Sequence, residues 1–502
     1  MRKLVTVFIL SLLMVSPAWA DDMRLPLRQC CQDEVPSLWS SVPTRSGTAT
    51  SFFGDVRVPI ILVAYQDVPF TIENVREVWD DIANKPGYSE HGAVGSMADY
   101  FYEQSRGQFR VTFDVIGPVT LPEKREYYGM DKGGRTDVGI NQMIMEACNM
   151  ANALPDVDFS RYDWDGDGNV ETVLVVYAGV GQNYIGAPAD VVWPKQGYIG
   201  GRLDNKIGLR NYACANELCW PSMQQDGLGT LIHEFSHCLG LPDLYNVSVD
   251  VNDYIIFDEW DVMDGGCYSN DSWAPVGYSA YERYLCGWLE PEALPDDAGV
   301  EAMAPMYDGG KVYRLDHSSG KEYLLFENRQ QQCFDSYLPG HGLLVTHVGS
   351  SNINPNNGTM VTVYPIPADG LDYPHSYKKY VQDYYGVTLS DDSLNMTGKY
   401  KKYQYDENGR SRLMTGTAFP YMEGDNVVND ALTIFSKTIS GIREENGRIF
   451  FHVSSAEDVA GVIAYGCPVA YYDLQGRLSE GRSPGIYIVR YPNGTTKKCI
   501  RR

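Results

Sequence analysis

Positive charge is scarce in this chain of 502 residues: 41 Lys and Arg stand against 65 Asp and Glu, a net charge of −24. That balance argues against a nucleic-acid backbone as partner. Beyond the first twenty residues no apolar run is long enough to span a bilayer. A long internal repeat and low-complexity tracts are also missing, which leaves ordinary globular domains. Histidine is scarce too, at 8 residues, so an ordered pair of histidines carries weight. What is present is a normal core: 44% hydrophobic and 21% charged residues. The 36 tyrosines are conspicuous, and the 11 cysteines are an odd number, so at least one has no partner within the chain.

The first twenty residues, MRKLVTVFILSLLMVSPAWA, read as a secretory signal. Arg2 and Lys3 form the basic start, an apolar run extends from Leu4 to Val15, and Ala18 and Ala20 supply the small residues before cleavage. The expected product is secreted or held at the cell surface, with no transmembrane segment. Disulfides are permitted in that compartment. Cys214 and Cys219 are spaced to close a short loop, whereas Cys148 lies on a helical pattern as a small buried residue.

Residues 21–50 read as an N-terminal extension or short pro-segment. Continuous apolar runs at 58–66 and 172–179, with an alternating run at 109–121, predict strands. Helical patterns lie around 71–84, 94–106 and 136–153, so strands and helices alternate as in an α/β layer. From about residue 300 the texture turns β-rich. Residues 51–454 form the expected main region, and 455–502 a small C-terminal β module.

The strongest chemical signal is His233-Glu234-x-x-His237 in LGTLIHEFSHCLGLPDLY. On a helix over 228–240 the two histidines lie one turn apart and face one metal ion. Glu234 beside them is placed to take a proton from a metal-activated water. Leu228, Leu231, Ile232, Phe235 and Leu239 give the helix an apolar side, and Asp226 and Gly227 precede it as a cap. Gly240 suits the left-handed turn that ends the helix. Asp243 then falls where the long motif HExxHxxGxxH has its third zinc ligand, with Asp in place of His. Asp243 is the candidate third ligand, and Glu259 and Glu282 are lower-ranked alternatives. Downstream, Met263 in EWDVMDGG resembles the Met-turn of metzincins, but the Tyr usually found two residues later is Gly265 here. Tyr278 and Tyr281 are the candidate transition-state tyrosines.

The order of several segments makes the resemblance specific. GSMADYFYEQSRGQF, DFSRYDWDGDGNVE, HEFSHCLGLPDLY, WDVMDGG, YSAYERYLCGWL and EYLLFENRQ followed by LPGHGLLVTHV occur as in the immune inhibitor A family of secreted zinc metallopeptidases. The likeness runs from about residue 56 to 350, and more weakly to about 454. It implies an α/β (α+β) zincin or metzincin-like catalytic domain with an active-site helix and Met-turn. It also implies zinc on His233, His237 and Asp243, with Glu234 as general base of an endopeptidase acting on extracellular proteins. The C-terminal piece, with YYDLQGR, GIYIV and a basic end, resembles a type IX secretion sorting domain, which implies a secretion-machinery partner.

A second set of ligand types lies in Asp163-x-Asp165-x-Asp167-Gly168, with Asn169 and Glu171 following. Alternating carboxylates before a glycine reproduce the first half of a calcium loop, but Leu174 occupies the place of the twelfth-position Glu. The expectation is a structural calcium; an Asp-rich turn without metal is the alternative. Two latency devices are noted: a blocking thiolate from Cys30-Cys31, and Phe52-x-Gly54-Asp55, which resembles the aspartate plug of astacin-type pro-segments. The competing functions are a catalytically silent surface adhesin on the same fold and a glycan hydrolase using paired carboxylates.

Overall fold

The computed structural model describes residues 52–184, 186–204, 206–245, 256–349, 362–369 and 416–455, and the backbone of four strands between 470 and 501. The expected signal, the extension, Cys30-Cys31 and the side chains of the C-terminal module lie outside the described residues.

The first half is a sheet with helices on both faces. In chain order it comprises β1 (Gly54–Ala64), α1 (Val75–Asn84), α2 (Met97–Gln104), β2 (Phe109–Thr120), α3 (Arg125–Gly129), α4 (Ile140–Asn152), β3 (Asn169–Val180), β4 (Lys195–Tyr198), β5 (Arg202–Leu203), β6 (Ile207–Leu218) and α5 (Gly229–Cys238). Strand order is β2-β1-β3-β6-β4, with β5 also on β6. β1, β2, β3 and β6 run parallel, and the outer β4 runs antiparallel.

The continuous apolar runs follow from burial on both faces. Ile60, Leu62, Leu174, Val176, Ala213 and Ala215 pack on α1, α2 and α5, while Ile61, Val63, Val173, Val175 and Cys214 pack on α4. The twelve-residue β6 was not anticipated, because its ACANEL stretch mixes small and polar residues. The buried acid among them is satisfied in place. Glu217 Oε1 accepts from Thr71 N (2.6 Å), Thr71 Oγ1 (2.9 Å) and Ile72 N (3.0 Å), and its Oε2 from Gly179 N (2.9 Å).

The short loop that Cys214 and Cys219 are spaced to close is not closed between them. Cys214 points from β6 into the α4 face, whereas Cys219 lies beyond the end of the strand, its Sγ 3.8 Å from Gln225 O. Gly54-Asp55 is not a plug either. It begins β1, where Asp55 pairs with Arg110 of β2 at 2.6 Å.

After α6 (Ala280–Leu285) the chain is β-rich: β7 (Glu292–Ala293), β8 (Ala298–Met303), β9 (Tyr313–Asp316), β10 (Tyr323–Arg329), β11 (Gly342–Val348) and β12 (Val363–Pro365). Then come β13 (Tyr421–Glu423), β14 (Asn426–Asn429), β15 (Leu432–Ile434), β16 (Lys437–Glu445) and β17 (Arg448–Ser455). The sheet β12-β11-β10-β9-β7 stands between two cores. Leu325 and Leu344 face the α/β half, whereas Leu324, Phe326, Leu343 and Val345 meet the sheet β15-β16-β17-β8. One contiguous core thus runs across the texture change near residue 300. The C-terminal backbone adds an antiparallel sheet of β18 (Ala470–Tyr472), β19 (Leu478–Ser479), β20 (Gly485–Arg490) and β21 (Thr496–Arg501).

Several tyrosines act as core residues whose hydroxyls find buried acceptors. Tyr100 donates to Val276 O (2.9 Å) and Tyr177 to Val192 O (2.7 Å).

Candidate metal centre

The helix α5 packs Leu231, Ile232 and Phe235 into the core against β6 and α2, so its position is set by burial. Its start does not use the expected Asp226 cap. Gly229 N instead donates to Ser272 O at 2.8 Å, and Asp226 accepts from Asn216 Nδ2 and the Tyr184 hydroxyl, both at 2.8 Å. The end is as anticipated. Gly240 has φ +87°, a conformation that disfavours a side chain, and its N–H returns to His237 O at 2.9 Å. That reversal brings Asp243 back beneath the helix.

Each histidine is oriented by a backbone carbonyl. His233 Nδ1 lies 2.8 Å from Val262 O, and His237 Nδ1 lies 2.8 Å from Leu241 O. A carbonyl only accepts, so each Nδ1 carries the hydrogen and each Nε2 presents a lone pair. The two Nε2 atoms are 3.1 Å apart. Asp243 Oδ1 is 3.3 Å from His233 Nε2 and 3.1 Å from His237 Nε2. Three lone-pair atoms therefore converge with no hydrogen between them, in a site where His233 is fully buried and Asp243 is 6% exposed. A cation resolves that arrangement, and an N, N, O set on a rigid element suits zinc. Glu234 is 1% exposed, and its Oε2 has no hydrogen-bond partner.

The electrostatics agree with a cation-shaped space. Burial opposes the Asp243 carboxylate, yet the two imidazoles, once protonated, outweigh it and hold its pKa below the ordinary range, so the site favours positive charge at that point. Burial pushes the Glu234 carboxyl up, against the pull of both imidazoles.

The other named residues are placed elsewhere. The Tyr278 hydroxyl bonds Ser236 Oγ on the core side of α5, and its ring packs on Tyr100 and Trp288. Tyr281 is buried, with Tyr323 and Glu282 acting on it. Among the described residues, no hydrogen bond joins either tyrosine to His233, His237 or Asp243. Glu282 is not a ligand but a helix cap, with its Oε2 accepting from Ser279 N (2.8 Å) and Oγ (2.7 Å) at the start of α6. Glu259 is buried beside Asp258, outside the group that converges on His233 and His237. Met263 is fully buried, and its carbonyl accepts from Leu244 N at 2.9 Å. The carbonyls of Val262 and Leu241 were missed because an orienting backbone acceptor leaves no mark in side-chain identity.

Asp163, Asp165, Asp167 and Glu171 form the second group whose ligand atoms lie within 4.8 Å of one another. Asp163 accepts from the N–H groups of Gly166 (2.8 Å), Asp167 (3.1 Å) and Gly168 (2.8 Å). Asn169 donates through Nδ2 to Asp167 Oδ1 at 2.9 Å. Arg210 pairs with Asp167 and lies 3.8 Å from Glu171. Glu171 is 5% exposed, with its Oε1 free of hydrogen bonds, and burial pushes its pKa up to about 7. Trp164 ties the loop to the sheet by donating through Nε1 to Arg57 O at 2.9 Å.

Residues 71–286 match the family model of the immune inhibitor A peptidase M6 catalytic domain. The chain is 26% identical over 279 residues to "Immune inhibitor A" of Bacillus thuringiensis subsp. alesti, covering 45% of this chain and 39% of that one. It is 25% identical over 251 residues to "Pre-pro-metalloprotease PrtV" of Vibrio cholerae, covering 41% of this chain and 26% of the relative. The chain thus spans well under half the length of either relative. The matched segment holds both ligand groups but leaves out β1, which pairs with β2 and β3 inside the sheet. Residues 71–286 are accordingly similar to the catalytic domain of immune inhibitor A, peptidase M6 metallopeptidases.

Proposed function

We propose that the protein is a secreted zinc-dependent endopeptidase, with zinc on His233, His237 and Asp243 of an HExxHxxGxxD motif and Glu234 as general base. The observation that carries this reading is the convergence of two Nε2 lone pairs and Asp243 Oδ1, both Nδ1 atoms being committed to carbonyls. Zinc bound there supplies a Lewis acid that lowers the pKa of a water and polarises the scissile carbonyl. The free Glu234 Oε2 accepts the proton of the attacking water and delivers it to the departing amine. Burial favours that proton's transient residence on Glu234. The strand β4, at the edge of the sheet, lies beside α5 and so beside the converging ligands. A Met-turn role for Met263 is supported by the Val262 carbonyl on His233 Nδ1 and the Met263 carbonyl on Leu244 N.

Calcium in the 163–171 loop completes the reading. The buried, unbonded Glu171 Oε1 supports it beyond the clustering of exposed carboxylates. The N-terminal signal and the resemblance of residues 455–502 to a sorting domain support export. Among the described residues, no helix is long and apolar enough to cross a membrane.

The test is cleavage of casein or gelatin by the mature protein, with and without chelator, beside Glu234→Ala. Cleavage that chelator stops, zinc restores and Glu234→Ala lacks is the expected result. Zinc-loaded wild-type protein that cleaves no protein or peptide would return the reading to an adhesin or glycan hydrolase.

A further inference from the structure

We propose that Asp261 and Glu282 are positioning residues for the zinc site, acting through a single peptide plane of the Met263 turn. This rests on the reading of His233, His237 and Asp243 as zinc ligands.

The peptide joining Val262 to Met263 is a rigid unit whose C=O and N–H point in opposite directions. Its C=O is the acceptor for His233 Nδ1 at 2.8 Å, and its N–H donates to Asp261 Oδ1 at 2.8 Å. Asp261 and His233 therefore hold the two ends of one plane. Fixing the N–H fixes the direction of the carbonyl, and with it the angle of the imidazole. A carboxylate at the N–H end also polarises the peptide, which strengthens the carbonyl as acceptor and raises the basicity of the distal Nε2. The next carbonyl along, Met263 O, accepts from Leu244 N at 2.9 Å, the residue after Asp243. Two successive carbonyls of this turn thus locate one imidazole and the backbone that carries the third ligand.

The turn has little freedom to drift. Gly266 N donates to Asp261 O at 2.9 Å, and a Cβ on Gly266 would lie 2.4 Å from that same oxygen. The second oxygen of Asp261 accepts from Ser279 N at 2.9 Å. Glu282 caps the same Ser279, whose N–H is thus shared between Asp261 Oδ2 at 2.9 Å and Glu282 Oε2 at 2.8 Å, and both acids are fully buried. Two touching buried carboxyls share a proton. With the proton on Glu282, Asp261 stays an ionised acceptor for Met263 N–H and Ser279 N–H. From the far side, Ala280 N donates to Glu327 Oε1 at 3.0 Å, so β10 holds the α6 end of the link.

The test is zinc affinity of the full chain, stripped of metal and titrated against a competing chromogenic chelator, with the thermal midpoint of the zinc-free protein measured alongside. Asp261→Asn places an amide N–H against one of two backbone donors, and zinc binding should weaken ~10–100-fold, as expected for an outer-shell partner. Glu282→Ala should weaken it in the same sense. Glu282→Gln, whose amide oxygen can accept from Ser279 while its N–H faces Asp261 in place of a shared proton, should recover the wild-type zinc affinity. A lower midpoint with unchanged zinc affinity in Asp261→Asn and Glu282→Ala would make the pair merely structural and overturn the proposal. Should Asp261→Asn fail to fold, the contrast between Glu282→Ala and Glu282→Gln decides alone. Wild-type protein that binds no zinc overturns the ligand reading itself, a result distinct from either.

Discussion

The two ligand clusters of this molecule are built on opposite plans. Around His233, His237 and Asp243 the backbone supplies acceptors, the cluster is buried, and the converging atoms have only lone pairs to offer one another. In the 163–171 loop the backbone supplies donors. Asp163, Asp165 and Asp167 each accept N–H groups from residues two to five positions later, and an arginine stands close by. The first arrangement is incomplete without a cation. The second is largely satisfied by itself, with Glu171 Oε1 as its one buried oxygen lacking a hydrogen bond. An ion should thus be indispensable to function in the first place and a stabiliser in the second.

The largest effect should come from removing a ligand of the first cluster. His237→Ala should abolish stoichiometric zinc, measured by elemental analysis of dialysed protein, and take proteolysis to background. Retention of one tightly bound zinc per chain would mean that the ion sits elsewhere. Next, Glu234→Gln should keep the zinc and lower kcat by ~10²–10⁴, the usual contribution of a general base. That separates holding the ion from using it. Equal losses of zinc and kcat would instead make Glu234 part of the metal cage.

How much of this was legible in the sequence follows from the same contrast. The His233–His237 spacing, the Gly240 turn and the Asp163–Asp167 alternation are side-chain patterns, and the geometry places each group together. The continuous apolar strands were legible because both faces of the sheet are covered. The atoms that orient the histidines belong to the backbone of Val262 and Leu241, to which the sequence is silent. β6 stayed hidden because Asn216 and Glu217 look like loop residues until their buried partners are known. Tyr278 was chosen by analogy, but an apolar wall of Tyr100 and Trp288 claims its ring. Glu282 was an acid of the right kind in the wrong role, since a capping box after Ser279 consumes it.

The second cluster should register in stability rather than in turnover. Calcium at 100 times its dissociation constant should add about 2.7 kcal/mol, by mass action on the folded state alone. Asp165→Ala should remove the calcium-dependent rise in thermal midpoint while leaving zinc content unchanged. If calcium raises the midpoint of wild type and Asp165→Ala equally, the ion binds outside this loop.

The smallest effect is the most discriminating, because it concerns what the loop does when no calcium is bound. Arg210 sits against Asp167 and 3.8 Å from Glu171, so its guanidinium supplies part of the positive charge that an ion would otherwise provide. It is about one-third exposed, and solvent screening keeps its contribution modest, at ~0.2–1 kcal/mol. Without calcium, Arg210→Ala should lower the midpoint by an amount of that order, since carboxylates held this close repel one another when nothing offsets them. With calcium in excess the loss should shrink, because the ion takes over the same charge, and calcium should bind more tightly once a competing cation is gone. A midpoint drop of equal size with and without calcium would show that arginine and ion do not share a role. The second cluster would then be an Asp-rich turn stabilised by its own N–H groups, and only the first would be a metal centre.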